Sequence, residues 1–449
     1  MTYNNALKYL DTFINYEKFD GFSPDRAFNL ERMRWLLARF DNPEKAFKSI
    51  HIAGSKGKGS TSAMVFSILK SAGFRAGLYT SPHLDDVRER IRTDKGLIKE
   101  KELSEIIETL KPVIEEYNKE AKLGAFSFFE VFTAAALMYF RIQRIDFAVL
   151  EVGLGGRLDA TNAVDGFVCG ITPISFEHTD KLGGTIAAIA TEKAEIIKEE
   201  SIVVSALQAD PAMRIIESKC ASTSSQLYLL GRDFKFNCTG YDDGFERFNF
   251  VGIASRYKDI EVNLIGTHQA ANAAMALGII DALKISQFDI SETSVREGLR
   301  NVDWPGRCEV AGKDPLIIFD GAQNRASARV IINTIPARFR YDTLFVILGT
   351  SKDKDIAGIC DELEAVADKI IVTVSSHPRA SSAENIMRHI GDKTKAMSIP
   401  SLTDALDVVF HIASETDLIL VTGSLFLVSE ARRMYRLNKD RFKEEVLLA

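Results

Sequence analysis

The chain has 449 residues, 46% of them apolar and 26% charged, and a net charge of −6. That is ordinary soluble globular material, long enough for two or three domains. The acidic balance argues against nucleic acid or a membrane as the main partner, so an anionic substrate needs local positive sites. Five cysteines (Cys169, Cys220, Cys238, Cys308, Cys360) are scattered with no CxxC pair, which argues for reduced thiols, a cytoplasmic setting and no zinc cluster. The start, MTYNNALKYLDTF, lacks the basic-then-apolar pattern of a signal segment. No apolar run approaches the ~20 residues of a membrane span.

Residues 1–47 read as helical, with apolar three- and four-residue spacing over Tyr3–Phe13 and Arg26–Phe40. A strand over Ile50–Ala53 leads into the glycine-rich turn Gly54–Gly59, and Ser60 and Thr61 open a helix. Strand, glycine loop and helix form the context of a phosphate-binding loop. Glycines let successive N–H groups face one anion, Lys58 can reach terminal phosphates, and a hydroxyl at the helix start can face Mg²⁺. The spacing departs from GxxxxGK[ST], because Gly59 stands between Lys58 and Ser60. The competing reading is a plain lysine-glycine turn.

Arg75–Tyr79 reads as the next strand, followed by Thr80-Ser81-Pro82-His83-Leu84 at its carboxyl end. Glu100–Ala121 reads as a charged amphipathic helix and Phe128–Gln143 as a buried one. Asp146–Val152 is a buried strand ending at Glu151, with the glycine-rich loop Gly153–Asn162 after it. Phe167–Thr172 is a strand leading to Glu177-His178-Thr179-Asp180. Thr185–Glu199 reads as helix and Ile202–Ser205 as strand. This alternation predicts a parallel sheet covered on both faces.

Alternating aromatic and polar residues over Leu227–Asn263 predict antiparallel strands. Helices return at Gly266–Leu283 and Ser291–Val302, and Asp303-Trp304-Pro305-Gly306 is a linker candidate. Beyond Cys308, strands are expected at Leu316–Asp320, Thr343–Leu348, Lys369–Val374 and Asp417–Thr422. The fold class is therefore α/β: a P-loop doubly wound parallel sheet with a small appended antiparallel sheet, plus a second, smaller Rossmann-like domain.

Several residues carry two readings. Glu151, at a strand end on the phosphate-loop edge, is a Mg²⁺ carboxylate or a surface acid. His178 is a ligand or a hydrogen-bonded structural residue. Lys193, in TEKAEIIK, reads by itself as a solvated helix lysine. Ser81 reads as a turn. Asn272 and Arg307 read as surface residues or ligand contacts. Asp320 precedes Gly321-Ala322-Gln323-Asn324, where doubly wound sheets hold a ribose or charged ligand. Lys352-Asp353-Lys354-Asp355 reads as a solvated charge run.

Taken in order, GSKGKGST, YTSPHL, FFEVFTAAA, LEVGLGGRLDATN, ITPISFEHTDKLG, EKAEIIK, GTHQAANAA, WPGR, FDGAQN, SKDKD, HPRA and VTGSLFLVSEAR resemble the folylpolyglutamate synthase/dihydrofolate synthase branch of the Mur ligases. The resemblance spans nearly the whole chain. It implies an ATP- and Mg²⁺-dependent ligase that joins L-glutamate to the carboxylate of dihydropteroate or a folate. Gly57, Lys58, Gly59 and Ser60 would hold the phosphates. Two magnesium sites would draw on Ser60, Ser81, Glu151, His178 and a carbamylated Lys193. Asn272, Arg307 and Asp320 would contact ATP. The pterin would lie near Phe128, Phe129, Glu130, Leu158, Asp159 and Ala160, with the segment around Phe28–Glu31 closing over it. Glutamate would meet Arg379 and Ser424. The resemblance also implies an ATP-binding domain over 1–302, with its antiparallel part at about 227–265, and a glutamate-ligase domain over 303–449 that closes on a hinge at Trp304–Arg307. A monomer is expected, as is usual in the family.

Two positions depart from the family pattern. Lys56 stands where asparagine is usual, and either adds charge beside the phosphates or points to solvent. Gln323 stands where histidine is usual, and it can hydrogen-bond but cannot carry a proton. A Mur-type ligase for another carboxylate and a degenerate ATP-binding regulatory protein are the alternatives.

Overall fold

The structure, a computed structural model, describes residues 1–18 and 22–438. Residues 19–21 of the stretch expected to be helical, and 439–449 of the second expected domain, lie outside the described residues. The chain forms two compact units. One comprises Met1–His83, Val87–Asn263 and Gln269–Asp303; the other comprises Leu84–Asp86, Leu264–His268 and the chain from Trp304 onward.

The first unit is built on eight strands: β1 (Lys48–Ala53), β2 (Ala76–Tyr79), β3 (Ile91–Thr93), β4 (Gly96–Leu97), β5 (Phe147–Glu151), β6 (Gly166–Ile171), β7 (Ile202–Ser205) and β8 (Gln226–Leu229). Their order is β4-β3-β2-β5-β1-β6-β7-β8. From β2 to β8 all neighbours pair in parallel. The central strands are buried on both faces, which is why they read as continuous apolar runs rather than alternating ones. Strand β1 has β5 on one side and β6 on the other, so the loops after these three strands emerge together at one sheet edge. This is the switch point at which such sheets bind ligands.

The helices of this unit are α1 (Tyr3–Leu10), α2 (Pro24–Ala27), α3 (Leu30–Ala38), α4 (Lys58–Ser71), α5 (Glu100–Asn118), α6 (Phe128–Ile142), α7 (Thr179–Leu182), α8 (Ile186–Ala194), α9 (Asp210–Ser222), α10 (Thr267–Ile285, counted here from Gln269) and α11 (Glu292–Arg300). The expected helix Arg26–Phe40 is in fact two. Phe28 and Asn29 are extended, and the Asn29 side chain accepts the Arg32 N–H at 3.0 Å to cap α3. The expected Thr185–Glu199 helix stops at Ala194. Strands β3 and β4 add an antiparallel edge that the sequence reading lacks.

A further difference concerns Leu227–Leu229. These residues were expected to lie in the antiparallel sheet, yet they pair in parallel with β7. The cause is α9, a helical crossover that the reading missed, because a connection of that length returns the chain in the same direction. The appended sheet is three-stranded, in the order β11-β10-β9, with β9 at Lys235–Asp242, β10 at Phe245–Val251 and β11 at Arg256–Val262.

The second unit carries β12 (Glu309–Lys313), β13 (Leu316–Phe319), β14 (Leu344–Leu348), β15 (Lys369–Val372), β16 (Ala396–Ser398) and β17 (Leu418–Thr422) in the order β12-β13-β17-β14-β15-β16. All pairs are parallel except β12 with β13. The helices α12 (Arg325–Arg338), α13 (Ile356–Glu364), α14 (Ala383–Arg388), α15 (Leu402–Ile412) and α16 (Leu425–Leu437) alternate with these strands. Among the described residues no helix is long and apolar enough to cross a membrane.

Helix α4, which begins at the phosphate loop, is held from outside by α11. A Cβ added at Gly298 would stand 2.5 Å from the Ile68 Cα, and the Ser67 hydroxyl donates to the Gly298 carbonyl at 2.7 Å. Overpacking against backbone cannot relax by a rotamer change. Gly298→Ala is expected to destabilise the fold by about 1–3 kcal/mol, read as a lowered denaturant midpoint at unchanged slope.

Candidate active site

The loop after β1 takes its shape from two glycines with positive φ. Gly54 (φ 145°) lies where a Cβ would meet the Thr172 hydroxyl at 1.9 Å, and Gly57 (φ 84°) where it would meet the Asn272 Oδ1 at 2.2 Å. No L side chain fits either place without strain. Gly57 caps α4 with no side-chain bond, so the first-turn N–H groups of Lys58, Gly59 and Ser60 have no helical carbonyl to bond. With the positive end of the helix dipole, they form an anion cradle. The loop is tied to the one after β6: Ser55 and Lys56 donate their N–H groups to the Pro173 carbonyl at 2.9 and 3.2 Å. The Ser55 hydroxyl also donates to the Ser175 carbonyl at 3.0 Å. Asn272, buried on α10, donates to the Gln269 side chain at 3.0 Å and covers Gly57.

Beneath this cradle lies Lys193, only 2% exposed. Its Nζ donates to the Gly54 carbonyl at 2.9 Å and to Glu177 Oε1 at 2.7 Å. Lys58 folds its own Nζ onto the same carbonyl at 3.0 Å. The solvated reading of Lys193 is therefore wrong: α8 turns this residue inward beneath the loop. Burial drives its pKa down to about 8; Glu177 pulls it upward and Lys58 pushes it further down. Burial also works against the Glu177 carboxylate, but Lys58 and Lys193 outweigh it and hold that group below its usual range. In the sequence Glu177 stands only as a companion of His178, with no site role of its own. Its signal was its place beside His178 at the end of a strand loop.

Glu151 is buried at the end of β5 and accepts the Ser81 N–H at 3.3 Å. Ser60 is buried in the first turn of α4, and His178 is exposed at the start of α7 with φ 45°. Ser60 and Glu151 are hard oxygen donors. They fit Mg²⁺, which takes one or two carboxylates and completes its shell with phosphate oxygens and water. Among the described residues no three of His, Cys, Asp and Glu gather into a metal cluster of their own.

On the other side of the same edge, Phe129 rests on the loop after β5: a Cβ at Gly153 would lie 2.7 Å from its ring. Leu158 is half-buried and Ala160 buried. Phe128 stacks on Phe132, with ring centroids 5.4 Å apart. Glu130 and Asp159 are engaged within the fold. Glu130 receives Arg32 at 2.7 Å and the Ser127 N–H at 2.8 Å, which fixes the start of α6 against α3. Burial pushes its carboxyl up, while Arg32 and Ser127 oppose the rise. Asp159 accepts N–H groups from Gly153 (3.1 Å), Leu154 (2.9 Å) and Thr161 (3.0 Å), and so organises the loop from inside. Arg157 carries the loop outward, to Glu192 at 2.8 Å and Asp25 at 2.7 Å.

In the second unit, Asp320 at the end of β13 accepts the N–H groups of Cys308 and Ala322 at 2.8 and 2.9 Å. Burial raises its pKa against the pull of Arg307. Arg307 donates to the Gly306 carbonyl at 3.0 Å. Arg379 stands 5.9 Å above the Phe426 ring, on which His377 stacks at 3.5 Å. Ser424 caps α16 by accepting the Leu427 N–H at 3.1 Å. Within the charge run, Asp355 is a cap for α13, accepting the Gly358 N–H at 2.9 Å, rather than a merely solvated residue. The Gln323 N–H donates to the Ser327 hydroxyl at 3.1 Å.

Residues 52–280 match the Mur ligase middle domain, and residues 306–425 the Mur ligase glutamate ligase domain. The dihydrofolate synthase/folylpolyglutamate synthase of Bacillus subtilis is 34% identical over 410 residues, 90% of this chain and 94% of the relative. The chain belongs to the folylpolyglutamate synthase/dihydrofolate synthase family. Two solved members of that family share its fold. The Mycobacterium tuberculosis folylpolyglutamate synthase complexed with ADP and AMPPCP is 32% identical, with a TM-score of 0.86 over 92% of this chain and 96% of that one. Escherichia coli FolC in complex with DHPP and ADP is 28% identical, with a TM-score of 0.83 over 98% of this chain and 99% of that one. As a member of this family the chain is an enzyme, a ligase.

The depressed Lys193 amine has a consequence for stability. Below about pH 8 the lysine is protonated in both folded and unfolded chains, and the fold bears the cost of burying the charge. Between about 8 and the ordinary 10.5 the folded chain has released the proton that the unfolded chain keeps, so stability rises with pH. In buffer freed of carbon dioxide, the parent is expected to gain on the order of 3 kcal/mol over Lys193→Met across that window. Denaturant titrations of both proteins at each pH check this.

Proposed function

We propose that the enzyme uses ATP and Mg²⁺ to join L-glutamate to the carboxylate of dihydropteroate or of a reduced folate, releasing ADP and phosphate. The observation that carries this reading is the meeting of Lys193 and Lys58 on the Gly54 carbonyl beneath an open helix terminus. The open terminus and the Lys58 amine supply N–H donors and positive charge suited to a triphosphate, and Lys193 stands directly beside them. The nucleotides and DHPP in the names of the related structures support the same reading.

A carboxylate is a poor electrophile toward an amine. Transfer of the γ-phosphoryl group of ATP to a carboxylate oxygen gives an acyl phosphate and ADP. Attack by the glutamate amine on the acyl carbon then forms the amide, expels phosphate and releases one amine proton. The α4 N–H groups and Lys58 hold the phosphates and oppose their charge during transfer. Ser60 and Glu151, with Ser81 beside them, would hold one magnesium ion; His178 and Lys193 would hold a second. Magnesium, when bound, neutralises phosphate charge and aligns the carboxylate with the γ-phosphate.

An amine bonded to Glu177 is no metal ligand. Its depressed pKa leaves a substantial neutral fraction near pH 8, and that form adds carbon dioxide to give a carbamate, with the released proton passing to solvent. The carbamate oxygens suit a hard cation. Phe129, Leu158 and Ala160 would receive the pterin, with Phe128, Glu130 and Asp159 shaping the wall. Asn272, Arg307 and Asp320 would contact the nucleotide. Arg379 and Ser424 would receive glutamate. Residues 1–302 would act as the ATP domain and 303–449 as the glutamate-ligase domain of a monomeric cytoplasmic protein.

Phosphate release and product mass, measured with a panel of dihydropteroate and folates plus L-glutamate, test this function. Glutamylated product is expected for at least one substrate, and its absence across the panel refutes the reading. Lys193→Ala is expected to bind ATP near the parent affinity and lose about 10³-fold or more in turnover. Ligation at the parental rate would remove Lys193 from the chemistry.

A further inference from the structure

His51, in the middle of β1, is fully buried and plays no part in the chemistry above. Its Nε2 lies 2.9 Å from the Thr161 hydroxyl, and that hydroxyl lies 2.5 Å from Asp159 Oδ1. The proton positions follow from what surrounds these atoms. Burial raises the Asp159 carboxyl, but both of its oxygens already accept backbone N–H groups, Oδ1 from Thr161 and Oδ2 from Gly153 and Leu154, which opposes the rise and suits a carboxylate. The Thr161 hydroxyl hydrogen therefore points to Asp159, and the hydroxyl oxygen accepts from His51. The other ring nitrogen, Nδ1, is buried with no hydrogen-bond partner. A proton there would leave an orphaned N–H, the rarest kind of buried polar group. A charged ring would do the same, and burial with nearby Lys198 depresses its pKa to about 3. The ring is neutral, and its one proton sits on Nε2.

We propose that His51 is a positioning residue for the acyl substrate: its Nε2–H, relayed through the Thr161 hydroxyl to Asp159, sets the shape of the loop after β5. The relay joins the strand that presents the phosphate loop to the loop proposed to receive the pterin. Two halves of the site are thus held in register by one chain of three side chains, His51, Thr161 and Asp159. Fixed buried networks of this kind orient the groups that touch the ligand without touching it themselves. This inference rests on the proposed folate-side role of the loop.

The test compares His51→Leu, which removes the donor, with His51→Gln, whose amide N–H extends to the same region. For His51→Leu the KM for dihydropteroate is expected to rise about tenfold or more, the scale of one hydrogen bond in a charged network, with the KM for ATP unchanged. His51→Gln is expected to restore most of the loss. Thr161→Val breaks the same relay from its middle and is expected to show the same split, so it carries the test if His51→Leu does not fold. An unchanged KM for dihydropteroate, an equal rise in both KM values, or a Gln variant no better than Leu would overturn the proposal. Nitrogen-15 spectra of the parent protein, with the His51 signal assigned from the Gln variant, are expected to show the Nε2–H tautomer. The Nδ1–H form would overturn the relay whatever the enzyme turns over. A chain with the expected tautomer but no activity on any pteroate or folate would instead refute the substrate reading.

Discussion

Two lysine amines reach one carbonyl oxygen at the start of the phosphate loop, and the nearby chain is arranged to make that tolerable. Lys193 and Lys58 both bond the Gly54 carbonyl, and Glu177 approaches from the next loop. Without the carboxylate, two cations would share a buried space with a single neutral acceptor, a costly arrangement. With it, burial still wins over pairing for Lys193, whose amine remains easier to deprotonate than in water. The loop after β1, helix α4, the loop after β6 and helix α8 each supply one member of this group: Gly54, Lys58, Glu177 and Lys193. Their mutual placement is therefore fixed by electrostatics as much as by packing. The α4 N–H groups and the Lys58 amine are already in place in the folded chain, so an anion bound there would need little reorganisation of the protein.

The carboxylates near the sheet edge divide by what surrounds them. Asp159 and Glu130 are saturated with donors from their own chain, which makes them builders: one shapes a loop, the other fixes a helix start against a buried arginine. Glu151 ends β5, the strand paired with β1, and accepts the Ser81 N–H. Glu177 compensates cations. Four acids of similar appearance in the sequence thus do different work, and burial with donor count distinguishes them where residue type cannot.

Much of the first unit was legible from periodicity and glycine placement. The strand, glycine loop and helix around Lys58 appear in the order read, because each local choice there agrees with the tertiary structure, although the helix opens at Lys58 and not at Ser60. The resemblance to the Mur ligases also held, since long motifs such as LEVGLGGRLDATN carry more information than any single residue. What failed was local. The break at Phe28-Asn29 has no glycine or proline to announce it, and the cap that makes it is an asparagine inside an apolar pattern. Helix α9 went unread, and Leu227–Leu229 was therefore assigned to the wrong sheet. The burial of Lys193 could not be seen from TEKAEIIK, because which face of α8 turns inward depends on the loop above it. The partners of Glu130 and Asp159 were equally hidden. Arg32 lies 98 residues from Glu130 in sequence, and only the fold brings them together.

Arg157 reaches in two directions, to Glu192 on α8 and to Asp25 on α2. The short helix α2 is thereby moored to the same loop that Asp159 shapes from within. Exchanging that loop alone for a relative's version would cut the mooring, and exchanging the first forty residues alone would cut it from the other end. With the substrate role proposed for that loop, swaps intended to alter acid choice would have to move α2 and the glycine-rich loop as one piece.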